Sequence, residues 1–219
     1  MTGTIGQHEL SQMFQNAAAL IREHHAELSA LDSASGDGDH GATMLRIADQ
    51  LEIAASSADL RSTLHDAGWK ILSVDGGASS SLFGTFFLGV ADAPECDCAL
   101  DCTALAATFE AGLAAVSKQT RARPGDKTLM DALVPAIASL RAAVETRKSV
   151  VDAMHDAASA ARAGAESTSG LTARFGRAKF LGEKTRGHQD PGAASIALLF
   201  EGFSSALAKT KGDTANARC

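Results

Sequence analysis

Residues 10–41 read LSQMFQNAAALIREHHAELSALDSASGDGDHG. The apolar residues of this stretch recur at steps of three and four, at Leu10, Met13, Phe14, Ala17, Leu20, Ile21, Leu28 and Leu31. That spacing places them on one face of a helix and predicts a long amphipathic helix. We expect the helix to end after Leu31, where aspartate, serine and glycine cluster.

The composition favours helices in the rest of the chain as well. Alanine is the commonest of the 219 residues, tyrosine is absent, and there are one tryptophan and four prolines. Because alanine is the strongest helix former, we expect an all-α protein. Periodic stretches predict seven further helices, at about 41–56, 59–73, 80–91, 101–118, 128–146, 148–164 and 191–208. Pro135 is expected to kink the sixth helix or to divide it.

Charge and cysteine content exclude several classes of protein. Lys+Arg 20 against Asp+Glu 26 gives a formal net charge of -6, which excludes a basic nucleic-acid binder. No purely apolar run approaches the ~20 residues of a membrane span, and the N-terminus lacks a signal-peptide pattern. Cys96, Cys98 and Cys102 crowd one acidic segment that is better explained as a reduced loop than as a metal site. We therefore expect a cytoplasmic, single-domain protein over residues 1–219, without a membrane or nucleic-acid partner.

Every second connection between the predicted helices is rich in glycine and acidic residues. These connections lie near residues 32–43, 75–81, 124–128 and 176–192. In an up-and-down helical bundle, alternate connections lie at the same end. The four loops are therefore predicted to converge on one site.

The first loop is a candidate for binding a metal ion. Asp32, Asp37 and Asp39 supply three carboxylates within eight residues of a glycine-rich turn, which suits a hard cation such as Mg²⁺ or Ca²⁺. An EF-hand does not fit, because the twelfth position counted from Asp37 is Ala48 instead of glutamate. The alternative is a turn that caps a helix and keeps its carboxylates in water.

Two of the other three loops suggest an anionic ligand, and the remaining one suggests a capped helix start. The small residues of GGASSS, at 76–81, would let backbone N–H groups approach a phosphate at a helix start, although serines there also simply cap helices. Thr128 and Asp131 resemble a capping box. The fourth loop carries Arg177, Lys179, Lys184 and Arg186, which would hold a polyphosphate against a metal or form a solvated basic loop.

Taken together, the four loops resemble the subunit L family of dihydroxyacetone kinases, also called the DAK2 domain. The matching segments are GDGDHG, GGASSS, GDKTLMDAL and GRAKFLGEKTRGHQDPGA, in that order and spread over essentially the whole chain. The resemblance implies an antiparallel eight-helix barrel with ADP or ATP bound at one rim. It also implies a phosphoryl-transfer enzyme of glycerol metabolism that acts on dihydroxyacetone or a related short ketose.

The resemblance also implies roles for individual residues. Asp32, Asp37 and Asp39 match the ligands of two Mg²⁺ ions, and Arg177 matches the catalytic residue that neutralises charge on the transferred group. The implied nucleotide-binding residues are His40, Thr43, Gly77, Ala78, Ser79, Ser80, Leu129, Met130, Arg177, Asp190 and Pro191. The chain departs from the family pattern at Ser80, Phe180, Lys184 and Arg186.

The resemblance further implies protein partners. In the family, a separate K-type subunit holds the ketose covalently through a histidine, and the phosphoryl donor is either ATP or a phosphohistidine protein of the phosphotransferase system that recharges bound ADP. A homodimer is compatible with the sequence. Two other functions stay open at this point: an ADP-loaded regulatory module that acts through protein contacts without turnover, and a lipid-binding helical barrel.

Overall fold

The computed structural model describes residues 3–34, 36–93 and 99–216, with side chains as far as Lys209. Cys96 and Cys98 lie outside the described residues. Eight α-helices occur in the described ranges: α1 (Gln7–Ser33), α2 (His40–Ala54), α3 (Leu60–Leu72), α4 (Gly77–Ala91), α5 (Cys102–Gln119), α6 (Met130–Glu145), α7 (Val150–Ser167) and α8 (Pro191–Asn216). Two 3₁₀ turns, Thr168–Gly170 and Arg177–Thr185, lie between α7 and α8. The all-α prediction is confirmed.

The helices form a closed antiparallel barrel. Each helix packs against the next one along the chain, and α8 returns to pack against α1. Phenylalanine rings fill the middle: the ring of Phe14 on α1 lies 5.3 Å from that of Phe87 on α4 and 6.1 Å from that of Phe203 on α8, measured between centroids. Aromatic side chains that meet across the barrel in this way leave little room for a lipid chain in its interior.

Several helix boundaries differ from prediction, and the largest difference is the end of α8, which lies at Asn216 instead of at about 208. Helix α4 begins at Gly77, whose φ of 58° favours glycine, instead of at residue 80. Pro135 lies within α6, which is one helix and not two segments. Because proline has no N–H, the carbonyl of Asp131 loses its helical donor. Gly164 of α7 packs against that carbonyl so closely that a Cβ at Gly164 would lie 2.1 Å from the oxygen.

Among the described helices, only α8 contains a stretch with the length and hydropathy of a membrane span. Residues Pro191–Lys209 have a mean hydropathy of 1.2, but 56% of the stretch is buried inside the protein. It packs against α1 on one side and α7 on the other. The apolar character of α8 is therefore that of a core helix.

The seam between α1 and α8 depends on Gly202. A Cβ at this position would lie 2.4 Å from Cα and 2.6 Å from the amide nitrogen of Ala17, which are backbone atoms that no change of rotamer can move. We expect Gly202→Ala to lower the free energy of unfolding by about 1–3 kcal/mol, because the helix propensity of alanine offsets only part of the overpacking.

Urea denaturation of both proteins would measure this change. Gly170→Ala is the matched control, since a Cβ at Gly170 has nothing within 4 Å. Equal midpoints for Gly202→Ala and the unaltered protein would contradict the close packing of α1 on α8.

Candidate functional site

A cavity of about 610 Å³ lies at one rim of the barrel. As the alternation of loops predicts, α2, α4, α6 and α8 all begin at this rim, and their first residues His40, Gly77, Met130 and Pro191 line the cavity. The N-terminus of a helix carries a partial positive charge from its aligned peptide dipoles. Four such termini around one cavity make it favourable for an anion.

Helix capping differs between the two ends of the barrel. At the far end, the side chains of Asp59, Asp101 and Ser149 accept backbone N–H groups in the first turns of α3, α5 and α7. At the rim, α2 and α4 follow Asp39 and Gly76, and neither residue caps its helix with a side-chain hydrogen bond. Backbone donors at the start of α4 therefore stay available to a ligand. At the starts of α2 and α8, the N–H of His40 donates to the carboxylate of Asp32 at 3.3 Å and that of Ala193 donates to the carboxylate of Asp190 at 2.8 Å.

The three predicted metal ligands lie together at the edge of the cavity. Carboxylate oxygens of Asp32, Asp37 and Asp39 all fall within 4.8 Å of one another. Gly38, with a φ of 78°, makes the turn between the last two of these aspartates. Three carboxylates at this spacing fit a hard divalent cation, which prefers oxygen ligands.

Arg177 reaches this cluster from the segment that precedes α8, the helix that packs against α1. Its guanidinium donates to the carboxylate of Asp37, and this hydrogen bond holds the pKa of Asp37 below its ordinary value. Both side chains are largely exposed, at 69% and 47%, so the pair adds little to stability. Its effect is to place a planar cation beside the candidate metal ligands at the mouth of the cavity.

His40 ties three helix starts together beneath the cavity. Its Nε2 lies 2.7 Å from Oγ of Ser195, and that hydroxyl donates to the carbonyl oxygen of Pro191 at 3.0 Å. Nε2 must therefore carry the proton, which leaves Nδ1 to accept the hydroxyl of Ser79 at 3.2 Å. Burial lowers the pKa of His40, which favours the neutral ring over the charged one. Sequence reasoning missed both serine contacts because their residues are distant in the chain.

Lys127 joins three stretches of the rim. Sequence reasoning did not identify it either. Its Nζ donates to the carbonyl oxygen of Thr168 at 2.6 Å and to that of His188. The residue is 4% exposed and has a φ of 60°. Burial lowers the pKa of its amine, and the carboxyl groups of Asp190 and Asp131 act in the opposite direction. Lys127 thus fixes the loop before α6 against the turn that begins α8.

The start of α6 resembles the predicted capping box. One oxygen of Asp131 accepts the N–H of Thr128 at 2.7 Å, and the other accepts the N–H of Gly125 at 2.6 Å. The hydroxyl of Thr128 accepts the N–H of Met130 at 3.2 Å. The helix itself begins at Met130, two residues after the predicted start at about 128, with Leu129 as the residue before its first turn. This arrangement turns Leu129 and Met130 toward the cavity, where both line an apolar wall.

Most of the predicted site residues line the cavity. They are Asp32, Asp39, His40, Thr43, Gly77, Ala78, Ser79, Leu129, Met130, Arg177, Asp190 and Pro191. Asp37 does not line the cavity, but its carboxylate accepts a hydrogen bond from Arg177, which does. Ser80 is buried within α4, where its hydroxyl donates to the carbonyl oxygen of Gly77 at 3.2 Å, so it does not narrow the cavity.

Arg46 lines the cavity as well, although no motif drew attention to it. Its guanidinium donates to the hydroxyl of Thr43 at 3.1 Å and to the carbonyl oxygen of Asp75 at 2.7 Å. Helical periodicity was the available signal, because Thr43 and Arg46 are three residues apart and share a face of α2. Arg46 holds the second loop next to the first.

The carboxyl group of Asp190 gives the site a distinct dependence on pH. Burial raises its pKa to about 7, although the N–H of Ala193, 2.8 Å away, and the charge of Lys127 act to lower it. Between pH ~4 and 7 the folded protein keeps this proton while the unfolded chain has lost it. The contribution of Asp190 to stability therefore falls as the pH rises through this window.

We expect Asp190→Asn to remove that slope. Unfolding free energies of the variant and the unaltered protein, measured from pH 4.5 to 8, should diverge in favour of the variant by no more than a few kcal/mol as the pH rises. His40 has the opposite effect, because its lowered pKa makes the folded protein less stable as the pH falls. This effect is the same in both proteins and therefore cancels in the difference between their unfolding free energies. A difference that does not change with pH would contradict the raised pKa.

Known proteins share this sequence and fold. The DAK2 domain family matches residues 34–205. The ADP-binding subunit DhaL of the PEP-dependent dihydroxyacetone kinase of Escherichia coli is 40% identical over 178 residues, which are 80% of this chain and 84% of that subunit. The L-erythrulose 1-kinase of Mycolicibacterium smegmatis is 36% identical over 90% of this chain, which spans 35% of that enzyme.

A solved structure shows the same arrangement of helices. The dihydroxyacetone kinase of C. freundii, crystallised in complex with AMP-PNP and Mg²⁺, superposes with a TM-score of 0.69 and 27% identity over 90% of this chain and 33% of its own. Sequence identity over most of the chain and a shared fold lead to one conclusion. The chain belongs to the DAK2 domain family.

Proposed function

We propose that this chain is the nucleotide-binding subunit of a dihydroxyacetone-type kinase. It binds ADP or ATP with Mg²⁺ and passes a phosphoryl group to dihydroxyacetone or a related short ketose that a separate K-type subunit holds. One observation carries the proposal: four helix starts, three clustered carboxylates and Arg177 surround a single cavity. A Mg²⁺-bound polyphosphate is the ligand that needs all of these groups at once.

Each wall of the cavity suits a different part of a nucleotide. Leu129 and Met130 offer an apolar surface for the adenine ring. The backbone N–H groups at Gly77–Ser79 would bind the phosphates, because the start of α4 has no side-chain cap. Asp190 and Pro191 line the cavity at the start of α8.

The remaining groups act on the phosphates. Asp32, Asp37 and Asp39 would hold Mg²⁺, two ions in this proposal, and the metal supplies electrostatic stabilisation of the transferring phosphoryl group. His40 keeps the hydroxyl of Ser79 in place beside the first turn of α4. Arg177 neutralises charge that develops on the transferred group, because its guanidinium already lies at the acidic cluster.

The donor proposed is a phosphohistidine protein that recharges tightly bound ADP. This choice is supported by the 40% identity to a subunit that is named as PEP-dependent and ADP-binding, over most of both chains. A cytoplasmic location is part of the same proposal, since phosphoenolpyruvate and short ketoses are intermediates of metabolism inside the cell.

Release of nucleotide from the purified protein tests the function and the donor together. The protein would be denatured before and after dialysis against excess ATP and Mg²⁺, and the released nucleotide quantified. One equivalent of ADP that survives dialysis supports a recharged prosthetic nucleotide, whereas exchange to ATP supports an ATP-dependent kinase subunit. A protein that neither retains nor takes up nucleotide would overturn the proposed function.

A further inference from the structure

The segment 176–187, termed the rim segment, presents apolar side chains to water at the mouth of the cavity. Phe180 is 81% exposed and Leu181 is 40% exposed. Lone exposed apolar residues are common on protein surfaces and need no explanation. This pair follows Arg177 by three and four residues, and Gly176, Arg177 and Ala178 of the same segment line the cavity.

Hydrogen bonds fix the backbone of the rim segment. Thr185 is fully buried, and its hydroxyl accepts the N–H of Ala173 at 3.0 Å and donates to the carbonyl oxygen of Gly182 at 2.8 Å. The N–H of Gly187 donates to the carbonyl oxygen of Ser169 at 2.8 Å. The backbone is thus fixed around a buried threonine while Phe180 points outward.

Positive charge surrounds the apolar pair in a protein whose formal net charge is -6. The amine of Lys179 lies 4.8 Å from the centre of the Phe180 ring, and Lys184 and Arg186 follow on the same segment. Among the described residues, Arg186 is paired with Glu183, with 3.0 Å between Nε and the carboxylate. A surface with an exposed ring and a basic border is complementary to an apolar pocket bordered by carboxylates.

We propose that Phe180 and Leu181, bordered by Lys179 and Lys184, form the docking surface for the subunit that carries the acceptor ketose. The matching surface on that subunit is an apolar pocket edged with aspartate or glutamate. The proposal rests on the proposed function, in which a second protein must bring the acceptor to the mouth of the cavity. Phe180 and Leu181 follow Arg177 by three and four residues on the same segment, so in this proposal the protein that reaches Arg177 from solvent also covers them.

The test uses the full chain with bound ADP and Mg²⁺, a phosphohistidine donor protein that recharges the ADP (or ATP in its place), and a purified K-type subunit loaded with dihydroxyacetone. Phe180→Ser should raise the KM for the K-type subunit by about tenfold or more, as expected for loss of an aromatic anchor, and leave kcat at saturating partner unchanged. Lys184→Glu should raise the same KM and weaken its dependence on salt concentration. Affinity for Mg²⁺-ADP alone should not change in either variant.

Ile53→Ser is the matched control. Ile53 is 54% exposed, but it lies near the end of α2, away from the rim, so its replacement should leave the KM for the partner unchanged. Turnover by the unaltered protein with an unchanged KM for Phe180→Ser would overturn the docking surface and leave the proposed function standing. Absence of turnover in the unaltered protein would overturn both. A concentration-dependent dimer that Phe180→Ser abolishes would assign the surface to a second copy of this chain and overturn the proposal.

Discussion

Asp37→Asn is expected to lower the affinity for Mg²⁺-nucleotide by about a hundredfold or more. Asp37 is one of three carboxylates whose oxygens lie within 4.8 Å of one another, and the change removes a full charge while keeping the shape of the side chain. Loss of a hydrogen-bond partner behind a metal ligand already costs ~10–100-fold in metal affinity, and loss of charge on a ligand should cost at least as much. The barrel should stay folded, because Asp37 is 47% exposed in a loop.

Removal of the metal separates this effect from a general defect. In excess EDTA, the variant should bind ADP as tightly as the unaltered protein or more tightly, because one negative charge near the phosphates has been removed and Arg177 has been released from its ion pair. Asp49→Asn is the control: Asp49 pairs with Arg22 on the outer surface, 2.7 Å away, and carries the same charge. If Asp37→Asn and the unaltered protein bind Mg²⁺-nucleotide with equal affinity, Asp37 is not a metal ligand.

Much of the fold could be predicted because helical periodicity is a local signal. The spacing from Leu10 to Leu31 identifies α1, and alternating connections place four loops at one rim, as the structure has them. The sequence left open whether α6 continues through Pro135, and in the structure it does. The carbonyl that the proline leaves free packs against Gly164 of another helix, a contact that has no trace in the local pattern.

The candidate site also has a part that the sequence predicts and a part that it does not. Asp32, Asp37 and Asp39 are close in sequence, so their proximity in space follows from a single turn. The contacts of His40 with Ser79 and Ser195 span 39 and 155 residues, and those of Lys127 with Thr168 and His188 span 41 and 61. Sequence motifs indicate which residues matter there, but only packing determines which of them meet. The buried supports of the cavity are therefore the part that sequence reasoning missed.

Arg177→Ala is expected to lower kcat by about a thousandfold while affinity for Mg²⁺-ADP changes by no more than a few-fold. An arginine that neutralises the transferring phosphoryl group typically contributes ~10³–10⁵ to kcat. In the structure its guanidinium donates a hydrogen bond to Asp37. A cation bound to Asp37 would neutralise that carboxylate, so that the arginine could turn toward the phosphates. Arg177→Lys keeps the charge but loses the planar fork, so its activity should be intermediate.

The control for this experiment lies on the same loop. Arg174 is 72% exposed and pairs with Asp126 at 3.5 Å, so Arg174→Ala removes an equal charge without reaching the acidic cluster and should keep its kcat. A loss confined to nucleotide affinity in Arg177→Ala would mean that Arg177 binds the ground state and does not act in the transition state. Because Phe180→Ser is expected to alter the KM for the partner and Arg177→Ala to alter kcat, two residues three positions apart should separate docking from phosphoryl transfer.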